Sequence, residues 1–337
     1  MKGFKKSVFC VVVLIFAYLL LTSCKKNEKF KWGEFDIAFS GSTCGSPVSI
    51  GVLKGFFEEE GVKINLVSGS TFEASRAAMA AGKIIVENGD FQYFPGVQNG
   101  LDVKLIAGLH EGCIKLIVPM DSPITTLEDL RGKTVAVDEI GGTPMSVASV
   151  AAGSVGINPQ TEMKWLPFPN DQIEQSIEKS EVDIVAAWDP FATQLEQSGK
   201  YRVLLDISKH PLFEGKACCF LFASGKVVKE KPGAVAAVLR GYHKAVAWIG
   251  ANPQEAAELL VREKKVATDN VDLVATLYKD YHYEHYTDHA ADLNARSDAE
   301  YFAKELTKFG YLPADLDVKK FVDDMYVDIE ALAKEKN

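Results

Sequence analysis

The sequence has little that would hold it within a membrane or on a nucleic acid. Its longest apolar run, residues 8–21, is too short for a comfortable transmembrane helix. The formal net charge is -9, and no block of Lys or Arg occurs beyond the first 32 residues. A polyanion-binding surface is therefore not expected, and we predict no nucleic-acid partner.

Catalytic signatures are also missing. The sequence contains no Gly-x-Ser-x-Gly elbow, no P-loop, no Gly-x-Gly-x-x-Gly after a strand and no His-Glu-x-x-His. Hydrophobic residues make up 47% of the chain and charged residues 25%, which is ordinary for a soluble globular protein. The length of 337 residues favours two domains over one. We expect a binding protein that uses no cofactor. The rival interpretation is an enzyme with the same fold.

Cysteine is scarce, and one of the six lies where its position has a meaning. Lysines precede the apolar run, and the run ends in Leu21-Thr22-Ser23-Cys24, which resembles the bacterial lipobox. This pattern predicts a signal peptide over residues 1–23, lipidation of Cys24 and a polar tether over residues 24–33. The mature protein would then be lipid-anchored at the extracytoplasmic face of the cell membrane. A simple membrane anchor or an ordinary cleaved signal is the alternative.

The cysteines of the mature domain are Cys44, Cys113, Cys218 and Cys219. In an oxidising compartment these four would allow two disulfides, but the pairing cannot be read from the sequence. Because Cys218 and Cys219 are adjacent on a predicted strand, we expect their side chains to point to opposite sides.

Strands and helices alternate along most of the chain, which predicts an α/β protein with parallel, doubly wound sheets. A first set has strands at 35–40, 64–68, near Phe91, at 103–108 and at 114–119, with helices at 46–60 and 71–81. A second set covers residues 127–207, and a strand at 217–224 precedes helices at 232–250, 253–264, 269–281, 299–309 and 318–334. We predict one lobe from residues 34–118 and 213–337, a second lobe from 119–212, and a ligand cleft between them.

Five segments, in order, resemble the nitrate, sulfonate and taurine (NMT1/THI5-like) family of ABC-transporter solute-binding proteins. They are Gly51–Gly61, Gly100–Ile106, Ile124–Val137, Gly142–Ser146 and Val182–Pro190. The resemblance implies a two-lobed periplasmic-binding-protein fold of type II. It also implies capture of a small organic anion or zwitterion, such as a sulfonate, taurine or nitrate, for delivery to an ABC permease and its ATPase. We expect a monomer. The alternatives are a receptor for a thiamin-pyrimidine precursor or another nitrogen heterocycle, or one for a metal or tetrapyrrole.

Two glycine- and hydroxyl-rich loops open helices and are candidates for ligand contact. The first, residues 41–46, offers Ser42, Thr43 and Cys44, and the second, residues 141–146, offers Gly142 and Thr143. Backbone N–H groups at a helix N-terminus form an anion site. The alternative is that both loops only cap their helices.

Three further candidates follow predicted strands. Trp188 would pack on the ligand and donate its indole N–H, and Asp189 would accept from an ammonium or ring N–H, which would exclude a bare anion. Alternatively, Trp188 is core and Asp189 caps the next helix. Phe91 is a candidate for an aromatic wall, although aromatic clusters are more often core.

Histidines and cysteines raise the question of a metal. His110 and Cys113 are predicted near the hinge, where they would converge with Cys44; we expect polar lining or a disulfide there, not a metal. His282, His285 and His289 have a spacing that would place them on one face of a helix and allow chelation of zinc or copper. A packed or solvated polar segment is the favoured interpretation, and no metal ligand is assigned.

Overall fold

The computed structural model describes residues 30–68 and 72–336. The predicted signal peptide, Cys24 and most of the predicted tether lie outside the described residues. Among the described residues, no helix combines the length and the apolar character needed to span a bilayer.

Ten strands form three sheets in the described part of the chain. The sheet orders are β1-β2, β3-β10-β4 and β7-β6-β8-β5-β9. The strands are β1 (Gly33–Phe39), β2 (Val62–Ser68), β3 (Val86–Gly89), β4 (Val103–His110), β5 (Ile114–Pro119), β6 (Thr134–Val137), β7 (Lys164–Pro167), β8 (Ile184–Trp188), β9 (Tyr201–Asp206) and β10 (Cys219–Ser224).

Helices surround the sheets, and most of the C-terminal third is helical. The α-helices are Ser46–Leu53, Phe56–Glu59, Phe72–Ala80, Tyr93–Gln98, Thr143–Ser154, Asn170–Glu178, Phe191–Gln197, Gly225–Glu230, Pro232–Ala251, Pro253–Arg262, Val271–Asp280, His289–Lys308, Val318–Met325 and Ile329–Glu335. Leu127–Leu130 and Tyr283–Tyr286 are short 3-10 helices. This mixture of strands and helices confirms the predicted α/β class.

The three sheets differ in strand direction: one is parallel, one is antiparallel and the five-stranded sheet is mixed, whereas parallel winding was predicted. β1 pairs with β2 in parallel, and β6 pairs in parallel with both β7 and β8. However, β10 runs antiparallel to β3 and β4, and β5 runs antiparallel to β8 and β9. β5 and β10 each follow a crossover between sheets. The alternation of strands and helices along the sequence therefore did not specify their direction.

Several predicted element bounds were wrong for local reasons. The helix predicted over residues 46–60 is interrupted at Gly55, whose φ of 77° only glycine adopts readily. The helix predicted over 318–334 divides at Tyr326, where the backbone makes an isolated bridge to Leu105. The helix predicted to begin at 299 begins at His289, because Asp288 accepts hydrogen bonds from the first turn.

The chain crosses between the sheets at two places that lie close together. Residues 111–113 connect β4 to β5, and residues 207–218 connect β9 back to β10. β5 belongs to the five-stranded sheet, whereas the predicted boundary at residue 118 placed most of it in the first lobe. Below, the first lobe means the sheets β1-β2 and β3-β10-β4 with their helices, and the second lobe means the five-stranded sheet with its helices.

Candidate functional site

A cavity of about 660 Å³ lies between the two lobes. Loops that follow strands of both lobes line it: residues 40–42, 44 and 45 after β1, residues 90 and 92 after β3, residues 138–139 after β6 and residues 188–190 at the end of β8. Its volume lies within the range of ordinary small-molecule sites, about 300–1,000 Å³. Ligands of open α/β sheets bind at such strand ends.

The loop after β1 contributes Ser42 and Cys44 to the lining but not Thr43. The Ser42 hydroxyl accepts a hydrogen bond from the backbone N–H of Gly45 at 3.3 Å, and the Cys44 thiol donates to the same oxygen at 3.2 Å. Thr43 is fully buried on the other side of the loop, where its hydroxyl lies 2.6 Å from that of Tyr281. Thr43 is thus positioned to hold the loop against the C-terminal helices.

Asp90 and Thr143 join the two lobes across the cavity. The Thr143 hydroxyl donates a hydrogen bond to Asp90 Oδ2, and the backbone N–H of Gln92 donates to Asp90 Oδ1 at 2.7 Å. Burial raises the pKa of Asp90 to about 7, because a charged carboxylate is poorly solvated there. This carboxyl therefore changes its charge close to neutral pH.

The end of β8 places Trp188 and Asp189 in the lining. The indole N–H of Trp188 donates to Asp138 Oδ2 at 3.1 Å. Asp189 Oδ1 accepts from the backbone N–H and the hydroxyl of Thr193, at 3.1 and 2.6 Å, so Asp189 binds the first turn of the following helix as well as lining the cavity, although Pro190 is the N-cap residue. Burial raises the pKa of Asp189 to about 6, although the nearby Lys115 opposes this shift.

Four of the ten predicted ligand contacts lie outside the lining: Thr43, Phe91, His110 and Cys113. Phe91 is fully buried and stacks on Phe302, with ring centroids 4.4 Å apart. The structure places Phe91 in the core, which was the alternative to a place in the cavity wall. Ser42, Cys44, Gly142, Thr143, Trp188 and Asp189 do line the cavity, and their contact with a ligand remains a prediction.

Sequence reasoning missed most of the acidic groups of the site. Glu87, Asp138 and Glu139 line the cavity together with Asp90 and Asp189. The pair Asp138-Glu139 directly follows the predicted strand 134–137, so the strand-end rule was a signal for it. Glu87 was not recognisable, because the strand that carries it was predicted several residues too late.

The cavity is acidic. Its described lining contains five carboxyl side chains and no Lys, Arg or His. Burial raises the pKa of Glu87 and of Asp138, and burial together with the charge of Asp138 raises that of Glu139. Such groups are stabilised by a cationic partner and destabilised by an anionic one.

Three polar atoms of the lining residues are buried without a hydrogen-bond partner among the described residues. They are Asn88 Oδ1, Gln92 Oε1 and the hydroxyl of Tyr242. An unsatisfied buried polar atom costs the folded state roughly 1–3 kcal/mol. Two of the three are carbonyl oxygens, which accept hydrogen bonds from N–H or O–H donors.

The structure brings together the predicted group of Cys44, His110 and Cys113, but not all three residues of the histidine group at positions 282, 285 and 289. Cys44, His110 and Cys113 do converge, with Cys219, at the buried side of the cavity. His282 has a φ of 51°, and His289 begins a separate helix and pairs with Asp328. The three histidines therefore do not share one helical face. His282 and His285 meet beside Glu284 in a possible ligand group, and His289 is not part of that group.

Comparison with known proteins supports a common ancestry. The NMT1/THI5-like family model matches residues 46–256, which is more than half of the chain. A Bacillus subtilis (strain 168) protein described as an aliphatic sulfonates-binding protein is 25% identical over 267 residues, covering 76% of this chain and 77% of its own.

Solved structures show the same fold. The nitrate-binding protein NrtA from Synechocystis PCC 6803 has a TM-score of 0.72 at 18% identity, covering 90% of this chain and 88% of its own. The aliphatic sulphonate binding protein SsuA from Escherichia coli has a TM-score of 0.68 at 18% identity, covering 85% and 91%. The desulfurization enzyme DSZB, with a TM-score of 0.58 at 13% identity, shares the fold over 90% of this chain and all of its own. With its periplasmic-binding-protein fold and a family-model match over residues 46–256, the chain belongs to the NMT1/THI5-like family.

Proposed function

We propose that the chain is an extracytoplasmic solute-binding lipoprotein of an ABC importer, which captures a small organic molecule between its lobes and delivers it to the permease. The observation that carries this proposal is the cavity of about 660 Å³ between the lobes, lined by strand-end loops from both. The named relatives bind sulfonate or nitrate, which supports the small size of the ligand. The lipobox at Leu21–Cys24 supports the anchor.

Hydrogen bonds between the lobes support capture by closure. Thr143 of the second lobe donates to Asp90 of the first. Gln194 Nε2, after β8, donates to the Thr268 hydroxyl in the C-terminal region at 3.0 Å. A ligand that contacts both sides would favour this closed arrangement through its higher affinity for it. We propose lobe boundaries of 34–112 with 213–336, and of 113–212, because β5 belongs to the five-stranded sheet.

The charge of the lining narrows the ligand class. Two unit charges 4 Å apart interact by about 4 kcal/mol at an effective dielectric constant of 20, so a bare anion among several carboxylates would be strongly disfavoured. A helix N-terminus offers only about half a positive charge. We therefore propose a ligand with a protonated amine or an N–H-rich ring, whose anionic group, where present, lies at the N-terminus of helix Thr143–Ser154.

A matched ligand pair tests this proposal directly. Taurine and ethanesulfonate share the sulfonate and the two-carbon chain, and only taurine carries an ammonium. We expect isothermal titration to give taurine, or an aminopyrimidine, at least 100-fold higher affinity than ethanesulfonate or nitrate. Equal or tighter binding of ethanesulfonate or nitrate would show that the carboxyls do not select the ligand.

The anchor and the transport role are tested in cells. Cys24→Ala should move the protein from the membrane fraction to the soluble fraction and abolish its labelling by palmitate. Deletion of the gene should stop uptake of the ligand that titration identifies, and the wild-type gene should restore it. Unchanged uptake would contradict a role in import.

A further inference from the structure

Four cysteines and one histidine meet where the chain crosses between the lobes. Cys44 lies in the loop after β1, His110 ends β4, Cys113 precedes β5, and Cys218 and Cys219 lie at the start of β10. All five side chains are buried, and none of the cysteines forms a disulfide. The cluster is distinct from the acidic groups of the cavity, although Cys44 and Cys219 also border the cavity.

The ligand atoms are spaced for a single ion. One donor atom each from Cys44, His110, Cys113 and Cys219 lies within 4.8 Å of all the others. The sulfurs of Cys113 and Cys219 are 3.8 Å apart. Two thiolates bound to one tetrahedral zinc at about 2.3 Å each stand about 3.8 Å apart, so this pair needs no rearrangement to share an ion.

His110 is oriented as a metal ligand would be. Its Nδ1 lies 2.9 Å from the backbone carbonyl oxygen of Glu111, and only a protonated Nδ1 can donate to that oxygen. When the ring is neutral, Nε2 keeps its lone pair, and this atom is buried without a hydrogen-bond partner among the described residues. Metal-bound histidines commonly have their second ring nitrogen fixed in this way by a carbonyl group. Stacking on Tyr281, with centroids 4.9 Å apart, holds the ring.

Both adjacent cysteines reach the cluster. Cys218 precedes β10, which begins at Cys219, so the alternation of strand side chains does not apply to this pair. The Cys218 sulfur lies 3.5 Å and the Cys219 sulfur 3.8 Å from the Cys113 sulfur, instead of pointing to opposite sides. Only Cys219 belongs to the group of four, which leaves Cys218 as a neighbouring thiol.

We propose that the thiolates of Cys44, Cys113 and Cys219 and the Nε2 atom of His110 bind one zinc ion. Three sulfur ligands and one nitrogen in a closed, buried site match the tetrahedral preference of zinc. Binding forms three Zn–S bonds and one Zn–N bond and releases to solvent the protons that the three cysteine sulfurs and the imidazole Nε2 carry in the metal-free protein. The ion would tie the loop after β1 to both crossovers between the lobes. This proposal does not depend on the identity of the transported solute.

The metal content of the full-length protein tests the proposal. The chain, purified with a reductant and without chelator, is expected to hold or take up one Zn²⁺ per chain. X-ray absorption should show three sulfur ligands at about 2.3 Å and one nitrogen at about 2.0–2.1 Å. Failure of the reduced protein to bind stoichiometric Zn²⁺, or a zinc shell without sulfur, would overturn the proposal.

Matched variants test the ligand set. Cys113→Ser should lower the zinc affinity, measured by competition with a chromophoric chelator, by at least 100-fold. Cys218→Ser, which changes a buried cysteine next to the site, should keep wild-type affinity. Equal loss in both variants would refute the assigned ligands. If Cys113→Ser does not fold by circular dichroism, replacing zinc by Co²⁺ in the wild-type chain decides the question, since only thiolate ligation gives intense sulfur-to-cobalt absorption.

Discussion

Ionisation of Asp90 predicts how ligand affinity responds to pH. This carboxyl is 2% exposed, and its burial raises its pKa from 3.8 to about 7. The Thr143 hydroxyl and the Gln92 N–H favour the charged form but do not outweigh burial. A ligand ammonium gains a full ionic partner only when Asp90 is ionised, so affinity for an amine-bearing ligand should rise as the pH rises.

The size of the effect follows from the fraction of Asp90 that is ionised. With a pKa of about 7, this fraction is roughly 1% at pH 5 and roughly 90% at pH 8. Affinity should therefore increase about 90-fold over this interval, which corresponds to about 2.7 kcal/mol. Most of the increase falls below pH 7, and the curve levels above it. A bare anion would show the opposite sign, because ionisation of Asp90 repels it.

Isothermal titration of taurine at four pH values, in buffers of different ionisation enthalpy, measures both the affinity and the protons released. We expect close to one proton released on binding at pH 6 and almost none at pH 8. Asp90→Asn should flatten the dependence, whereas Asp121→Asn, which changes an exposed carboxylate outside the cavity lining, should leave it intact. An affinity that stays flat or falls from pH 5 to pH 8 in the wild-type protein would refute the pairing of Asp90 with a cation.

Three substitutions separate ligand contact from structural support. Phe91→Ala should lower the free energy of unfolding in urea by about 3–5 kcal/mol and leave ligand affinity within threefold, because the lost contacts are in the core. Trp188→Ala should weaken binding at least tenfold by calorimetry, with little loss of stability. Trp165→Ala, which changes a partly buried tryptophan outside the lining, should leave the affinity unchanged. Equal affinities of the Trp188→Ala variant and the wild-type protein would remove Trp188 from the site. Thr143→Ala removes a donor to the Asp90 carboxylate and should move the midpoint of the pH dependence upward, which Thr143→Ser should not do.

Local sequence patterns predicted those parts of the site that depend on local structure. Ser42, Gly142 and Thr143 were found because glycines and hydroxyls before an apolar helix mark a helix N-terminus that follows a strand. The alternation of strands and helices gave the α/β class. The direction of β5 and β10 depends on which distant strand each one meets, and a short apolar run is equally compatible with parallel and antiparallel pairing.

Other features of the candidate site could not be predicted without the tertiary structure. Thr43 and Cys44 are adjacent and of similar size, and only the position of Tyr281 shows that the Thr43 side chain packs inward while Cys44 borders the cavity. Phe91 was a candidate for the cavity wall, although aromatic clusters are more often core, and its stacking on Phe302 places it in the core. The acidity of the site also depends on assembly, since its carboxyls come from separate strand ends that no spacing rule connects.

The loop after β1 links ligand capture to the cysteine cluster. Ser42 and Cys44 share a hydrogen bond in this loop, and Cys44 also belongs to the group with His110 and Cys113. The Asn88 side chain donates to the Cys44 carbonyl at 3.2 Å and itself borders the cavity. A change at the cluster that moves Cys44 must therefore move cavity-lining atoms, because packed interiors transmit small displacements. Zinc at the cluster would hold these atoms in place before the ligand arrives, and less conformational freedom would then be lost on binding.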